Sequence, residues 1–190
     1  MDFNSFLLAT SIVALAEIGD KTQLLSLMLA SRYKDHHWGI IFGILIATLL
    51  NHALAAWVGS AVSQWINPEV MRWILGVGFI ALGLWLLIPD KLDGDENTPS
   101  THSPWKIFTI TTSLFFMAEM GDKTQVATVA LGARYDDLLA VVAGTTLGMM
   151  LANAPAVWLG KKFTKALPIK WVHGIASILF IVMGIATLVI

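Results

Sequence analysis

The sequence predicts an all-α membrane protein of six transmembrane helices, built as two inverted three-helix repeats. Three observations carry that prediction. The 190 residues are 56% apolar and only 13% charged, with a mean hydropathy of +0.72, outside the usual range for soluble domains. Apolar stretches at 5–30, 38–63, 70–88, 107–132, 138–160 and 169–190 approach the ~20 residues that a helix needs to cross a bilayer. A seven-residue motif occurs twice, at 17–23 and 119–125, as a duplication would leave it.

The first stretch follows Met1-Asp2-Phe3-Asn4, which lacks the basic region of a secretory signal, and it is too long for one, so it is expected to stay as helix 1. Its motif reads Glu17-Ile18-Gly19-Asp20-Lys21-Thr22-Gln23. Helix 2 opens with Gly39-x-x-x-Gly43, a pattern suited to close helix contact, and carries Asn51 and His52 in its interior. Helix 3 completes a first repeat over 1–88. Residues 89–106 are polar, acidic and Pro-bounded and read as a solvated cytoplasmic linker. Helix 4 opens the second repeat, 107–190, with Glu119-Met120-Gly121-Asp122-Lys123-Thr124-Gln125, 102 positions after the first copy. The same shift pairs Arg32-Tyr33 with Arg134-Tyr135 and Asn51 with Asn153. Helix 5 has its own Gly144-x-x-x-Gly148, and helix 6 ends the chain. An odd number of spans per copy makes the second copy enter the membrane from the opposite face, so the repeats are inverted.

Basic residues set the orientation. The loops after helices 1, 3 and 5 carry Arg32, Lys34, Lys91, Lys106, Lys161, Lys162, Lys165 and Lys170, against only Arg72 and Arg134 on the other face. The first set is expected in the cytoplasm, with both termini outside. Trp38, Trp65, Trp73, Trp105 and Trp171 fall at helix ends, where aromatic belts form. The basic residues make no stripe, which excludes a nucleic-acid partner. No cysteine is present, so a metal held here is bound mainly through oxygen.

Glu17 and Asp20 lie near the bilayer middle, and so do Glu119 and Asp122. A carboxylate there costs ~2.5–3.5 kcal/mol even on the lenient insertion scale, so four of them need a compensating partner. The i, i+3 spacing puts Glu and Asp on one helix face, and inversion turns the two faces toward each other in one oxygen-rich cavity at the midplane, between helices 1 and 4 with 2 and 5. That suits a hard divalent cation. Four carboxylates balance such an ion together with Lys21 and Lys123, the charge-balancing pair; the alternative is that each lysine merely bridges a carboxylate so that the helices can pack. Gly19 and Gly121 either break the helix and lend carbonyl oxygens or allow tight helix packing. Asn51 and Asn153 either offer amide oxygens to the cavity or bond between helices. Gln23, Gln125, Thr22 and Thr124 join the supporting set on weaker grounds. His52, whose repeat counterpart is Ala154, reads as structural, and no residue reads as catalytic.

Glu-x-Gly-Asp-Lys-Thr, doubled in the first and fourth of six helices, resembles the Gdt-one family of cation exchangers, which includes the Golgi transmembrane-protein-165 type. The resemblance spans essentially the whole chain, and it implies a secondary transporter that exports Mn²⁺ by antiport with H⁺ or Na⁺. It implies no cofactor, with Ca²⁺ as an alternative cargo. The family's acidic residues map onto Glu17, Asp20, Glu119 and Asp122. The family's short bacterial form implies an inner-membrane location in the lipid bilayer. The eukaryotic members' long central loop is missing, and the sequence carries no sign of an oligomeric state.

Moving a divalent ion out against an inside-negative potential costs about 4.6 kcal/mol per 100 mV, so export needs an inward-moving counter-ion. From another class, an intramembrane metal-dependent lipid phosphatase would use inverted repeats and acids too, but it would want arginines for phosphate, and none lies in the apolar cores. An exporter of amino acids or other small organic cations fits the size but explains the clustered carboxylates less well.

Overall fold

The computed structural model describes residues 1–88, 103–160 and 169–189. Within them the chain is all-helical: α1 (Phe3–Glu17), α2 (Lys21–Arg32), α3 (His37–Ser63), α4 (Pro68–Trp85), α5 (Pro104–Glu119), α6 (Lys123–Arg134), α7 (Leu138–Leu159) and α8 (Ile169–Val189). The expectations for Lys91, Lys161, Lys162 and Lys165, and for 89–102 of the linker, fall outside the described residues. The linker's last three residues are already helical, because Pro104 starts α5 at the position where its missing N–H goes unused.

Local chemistry sets the ends. Asp2 caps α1 through the amides of Asn4 and Ser5, Asn67 caps α4 ahead of Pro68, and Asp137 caps α7 through the amide of Ala140. Each cap satisfies N–H groups that a helix cannot satisfy itself. Asp2 and Asp137 also meet, the Asp2 amide donating to the Asp137 carboxylate, which ties the N-terminus to the start of α7. The amides on these two carboxylates, with the Ser5 hydroxyl on Asp2, hold both below the usual aspartate range.

Four helices, α3, α4, α7 and α8, are each long and apolar enough to cross a membrane. The first predicted stretch breaks at the motif: α1 and α2 pass the same test together but bend by 68°, which makes them a broken span or a re-entrant loop. The stretch read as helix 4 breaks at the corresponding place into α5 and α6. On length and composition the described residues thus supply up to five spans. Outward-facing positions are apolar, as a lipid solvent requires: Leu50, Trp57, Trp73, Val77, Ile178 and Val182 are all exposed, and the five predicted belt tryptophans are exposed too.

Packing crosses the halves. α1 lies against α7 and α5 against α3, while α3 also packs on α6 and α7, and α4 pairs with α8. Glycine makes the first two contacts close. A Cβ on Gly144 or Gly148 would stand 2.6 Å from the carbonyl oxygens of Phe6 and Thr10 on α1, and one on Gly43 would stand 2.7 Å from Thr111 Cβ on α5. Backbones approach that closely only at small residues.

Candidate cation site

Each motif copy is a helix break. α1 ends at Glu17 and α2 starts at Lys21, with Gly19 at φ 86°; α5 ends at Glu119 and α6 starts at Lys123, with Gly121 at φ 77°. A positive φ is open to glycine and strained for other residues. Asp20 and Asp122 stand as N-cap residues of the second segments. The i, i+3 helix face expected for Glu17 with Asp20, and for Glu119 with Asp122, is therefore corrected: the glycine turns the chain between them, and each acid sits at a different helix end. The two ends are oppositely polarised, since α1 and α5 terminate in carbonyls and α2 and α6 begin with N–H groups that have no carbonyl partner within their own helix.

The glutamine of each copy braces its break. Gly19 N–H donates to Gln23 Oε1 at 2.9 Å, and Gly121 N–H to Gln125 Oε1 at 2.7 Å. The amide nitrogens then anchor each break to the other half: Gln23 Nε2 donates to the Ala152 carbonyl at 2.9 Å, and Gln125 Nε2 donates to Asn51 Oδ1.

The four acids are buried, with Glu17 and Glu119 at 0% exposure. Glu119, Asp20 and Asp122 all lie within electrostatic reach of Glu17. Asn153 of α7 donates to Glu17 Oε1 at 3.2 Å and accepts from Ser26 at 2.7 Å. Thr124 donates to Glu119 Oε2 at 3.0 Å, and Lys21 Nζ lies 3.5 Å from Asp122 Oδ1, joining the two motifs. Among the described residues, Glu17 Oε2 and Glu119 Oε1 are buried without a hydrogen-bond donor, and Thr22 Oγ1 without a partner. Buried carboxylate oxygens of that kind are uncommon and expensive. Among the described residues no three His, Asp or Glu side chains converge closely enough to ligate one ion as they stand.

Two residues extend the predicted set. His52, read from sequence as structural, is fully buried with Nε2 3.9 Å from Glu119 Oε2. His173 of α8 contacts the Ile18 carbonyl at 2.6 Å, beside Ile169, which packs on Gly19. Neither lies in a motif copy, and the spacing of the repeats does not single out either one. Lys123 Nζ donates to the Ile88 carbonyl at 2.8 Å and lies 6.0 Å from the Trp85 ring centroid.

Comparison with known proteins decides what such a site belongs to. The family profile described as divalent cation/proton antiporter GDT1 matches residues 5–94 and 107–190. The chain belongs to the GDT1 family. A candidate manganese exporter of Vibrio cholerae is 52% identical over 95% of this chain and 89% of its own length. GDT1-like protein 5 of Arabidopsis thaliana is 28% identical over 96% and 94%, and a GDT1-like protein of Synechocystis is 24% identical over 93% and 92%. No solved structure matches. As a GDT1-family member the chain is a multi-pass membrane transporter of divalent cations and not an enzyme, which removes the lipid-phosphatase reading.

Proposed function

We propose that this GDT1-family chain exports Mn²⁺ from the cytoplasm in exchange for protons, with Glu17, Asp20, Glu119 and Asp122 as the ion's main ligands. One observation carries the reading: acids from two broken helices, one in each half, are buried together, and side chains cross between halves to reach them, Asn153 to Glu17 at 3.2 Å and Lys21 to Asp122 at 3.5 Å. Mn²⁺ is chosen over Ca²⁺ because the relative at 52% identity is named for manganese export; oxygen ligands alone suit Mg²⁺, Ca²⁺ and Mn²⁺ alike.

In this reading α1–α2 and α5–α6 each make one broken span, completing six, and residues 1–88 and 107–190 are inverted repeats. Broken helices place carbonyl and amide ends at an ion without lipid exposure. Gly19 and Gly121 make the breaks. Gln23 and Gln125 hold them, Asn51, Asn153, Thr22 and Thr124 support the acids, and Lys21 and Lys123 complete the charge balance. The protein sits in the bacterial inner membrane with both termini outside, where Asp2 and Asp137 meet.

An uncompensated carboxylate pair in low dielectric is costly. When Mn²⁺ leaves outward, a proton takes its place on Glu17 or Glu119, and rocking of one repeat against the other carries that proton inward. Metal and proton thus exclude each other, which couples the fluxes without a further device. The test is Mn²⁺ uptake into everted vesicles, or Mn²⁺ flux in proteoliposomes, under a pH gradient. Glu17→Gln and Glu119→Gln are each expected to abolish exchange; full transport by either variant refutes the proposal.

A further inference from the structure

His52 stands apart from the other polar groups around the acids. It lies in the middle of α3, is 0% exposed, and neither ring nitrogen makes a hydrogen bond among the described residues. Leaving a buried polar atom without a hydrogen bond is costly, and the charged group nearest to the His52 ring is the Glu119 carboxylate, at ion-pair distance if the imidazole is protonated. Its Nε2 is 3.9 Å from Glu119 Oε2, too far for a hydrogen bond. Two donors on one cation at about 2.2 Å each stand at most about 4.4 Å apart. The gap between imidazole and carboxylate is therefore wide enough for an ion and too wide for a direct bond. Among the described residues Glu119 Oε1 is also without a donor, so the carboxylate has capacity left.

We infer that His52 is a nitrogen ligand of the transported ion, paired with Glu119, and that it makes the site select first-row transition cations over Ca²⁺ and Mg²⁺. The inference rests on Glu119 being a cation ligand, as proposed above. An all-oxygen site cannot make this choice. Carboxylate and carbonyl oxygens suit Mg²⁺, Ca²⁺ and Mn²⁺, whereas imidazole suits transition ions and adds little for Ca²⁺ or Mg²⁺. A single nitrogen among oxygens keeps Mn²⁺, the weakest binder of the divalent series, releasable. The repeat counterpart of His52 is Ala154, and Glu17 meets Asn153 instead. The two halves of the site therefore differ: Glu17 has an amide beside it, Glu119 an imidazole.

The experiment uses the full chain in proteoliposomes, with Mn²⁺ and Ca²⁺ flux measured separately for wild type, His52→Asn and Glu119→Gln. Asparagine keeps a polar side chain beside Glu119 and removes the imidazole. His52→Asn is expected to lower the ratio of Mn²⁺ to Ca²⁺ flux by about tenfold, the scale on which a lost metal-site interaction acts. An equal fall in both fluxes makes His52 a positioning residue for Glu119 and overturns the inference, as does an unchanged ratio. Should the variant not fold, pulsed EPR of Mn²⁺ bound to the purified wild-type protein decides. Imidazole ¹⁴N modulation is expected there and in His173→Asn, and its absence from wild type overturns the inference. Full Mn²⁺ flux in Glu119→Gln removes the underlying site instead, whereas loss of flux there with an unchanged ratio in His52→Asn removes only the selectivity role.

Discussion

The two motif copies differ at one residue in seven, Ile18 against Met120, yet the fold surrounds them differently. The first break is covered: Ile169 packs on Gly19 and His173 contacts the Ile18 carbonyl at 2.6 Å. Around the second, no described residue comes within 4 Å of a Cβ on Gly121, and Met120 is 53% exposed. The lysines differ in the same way, Lys21 half-buried and reaching across to Asp122, Lys123 buried and turned to the carbonyl at the end of the first half. Identical local chemistry has been placed in two environments. Among the described residues, α8 packs on the first break and not on the second.

The largest effect that tests this contrast is at the glycines. Both hold a positive φ, so alanine costs each about 1–2 kcal/mol of backbone strain. At Gly19 the new Cβ also lies 2.6 Å from Ile169 Cγ2, which adds roughly 1–3 kcal/mol of overpacking. Thermal unfolding in detergent should rank Gly19→Ala below Gly121→Ala, and Ile169→Ala in the Gly19→Ala background should recover the steric part. Equal losses at the two glycines would mean that α8 does not cover the first break.

Next in size come the lysines. Lys123→Met removes a buried charged donor to the Ile88 carbonyl, a loss of about 1.5–3 kcal/mol, whereas Lys21→Met removes a partly exposed pair of about 0–1 kcal/mol. The same unfolding measurement orders them. Transport should order them in reverse, since Lys21 reaches Asp122 across the two motifs whereas Lys123 bonds the Ile88 carbonyl.

The smallest effect is at the tie between the N-terminus and α7. The Asp137 carboxylate is held below its ordinary range by the amides of Ala140 and Asp2. A depressed value in the folded state gives stability that is present above the ordinary aspartate range and lost as pH falls through the depressed value. Melting temperature against pH should therefore fall on acidification, and less steeply in Asp137→Asn, which keeps an acceptor for the cap but cannot titrate. A slope unchanged by the substitution would remove Asp137 as the source.

Much of the fold is legible because bilayer length is a strong filter. The stretches read at 38–63 and 138–160 emerge as α3 (His37–Ser63) and α7 (Leu138–Leu159), as apolar runs bounded by polar caps must. The breaks in the first and fourth stretches were less legible, because Gly19 and Gly121 fit either a turn or a tight helix contact, and only a positive φ separates the two. The assumption of a continuous helix made Glu17 and Asp20 share a face, and one left-handed residue undid it.

Sequence by itself determined that this chain lives in a membrane, that one seven-residue motif recurs 102 positions on, and that each copy carries a pair of acids where burial is expected. These follow from hydropathy, repeat spacing and the cost of burying charge, which need no knowledge of neighbours. Tertiary structure alone decided that Asn153 serves Glu17, that His52 faces Glu119, that Lys123 bonds the Ile88 carbonyl where Lys21 reaches Asp122, and that α8 covers one glycine and not the other. Position along a helix is written in the chain, whereas a partner on another helix depends on how helices rotate and cross, and that is set by packing summed over the whole bundle.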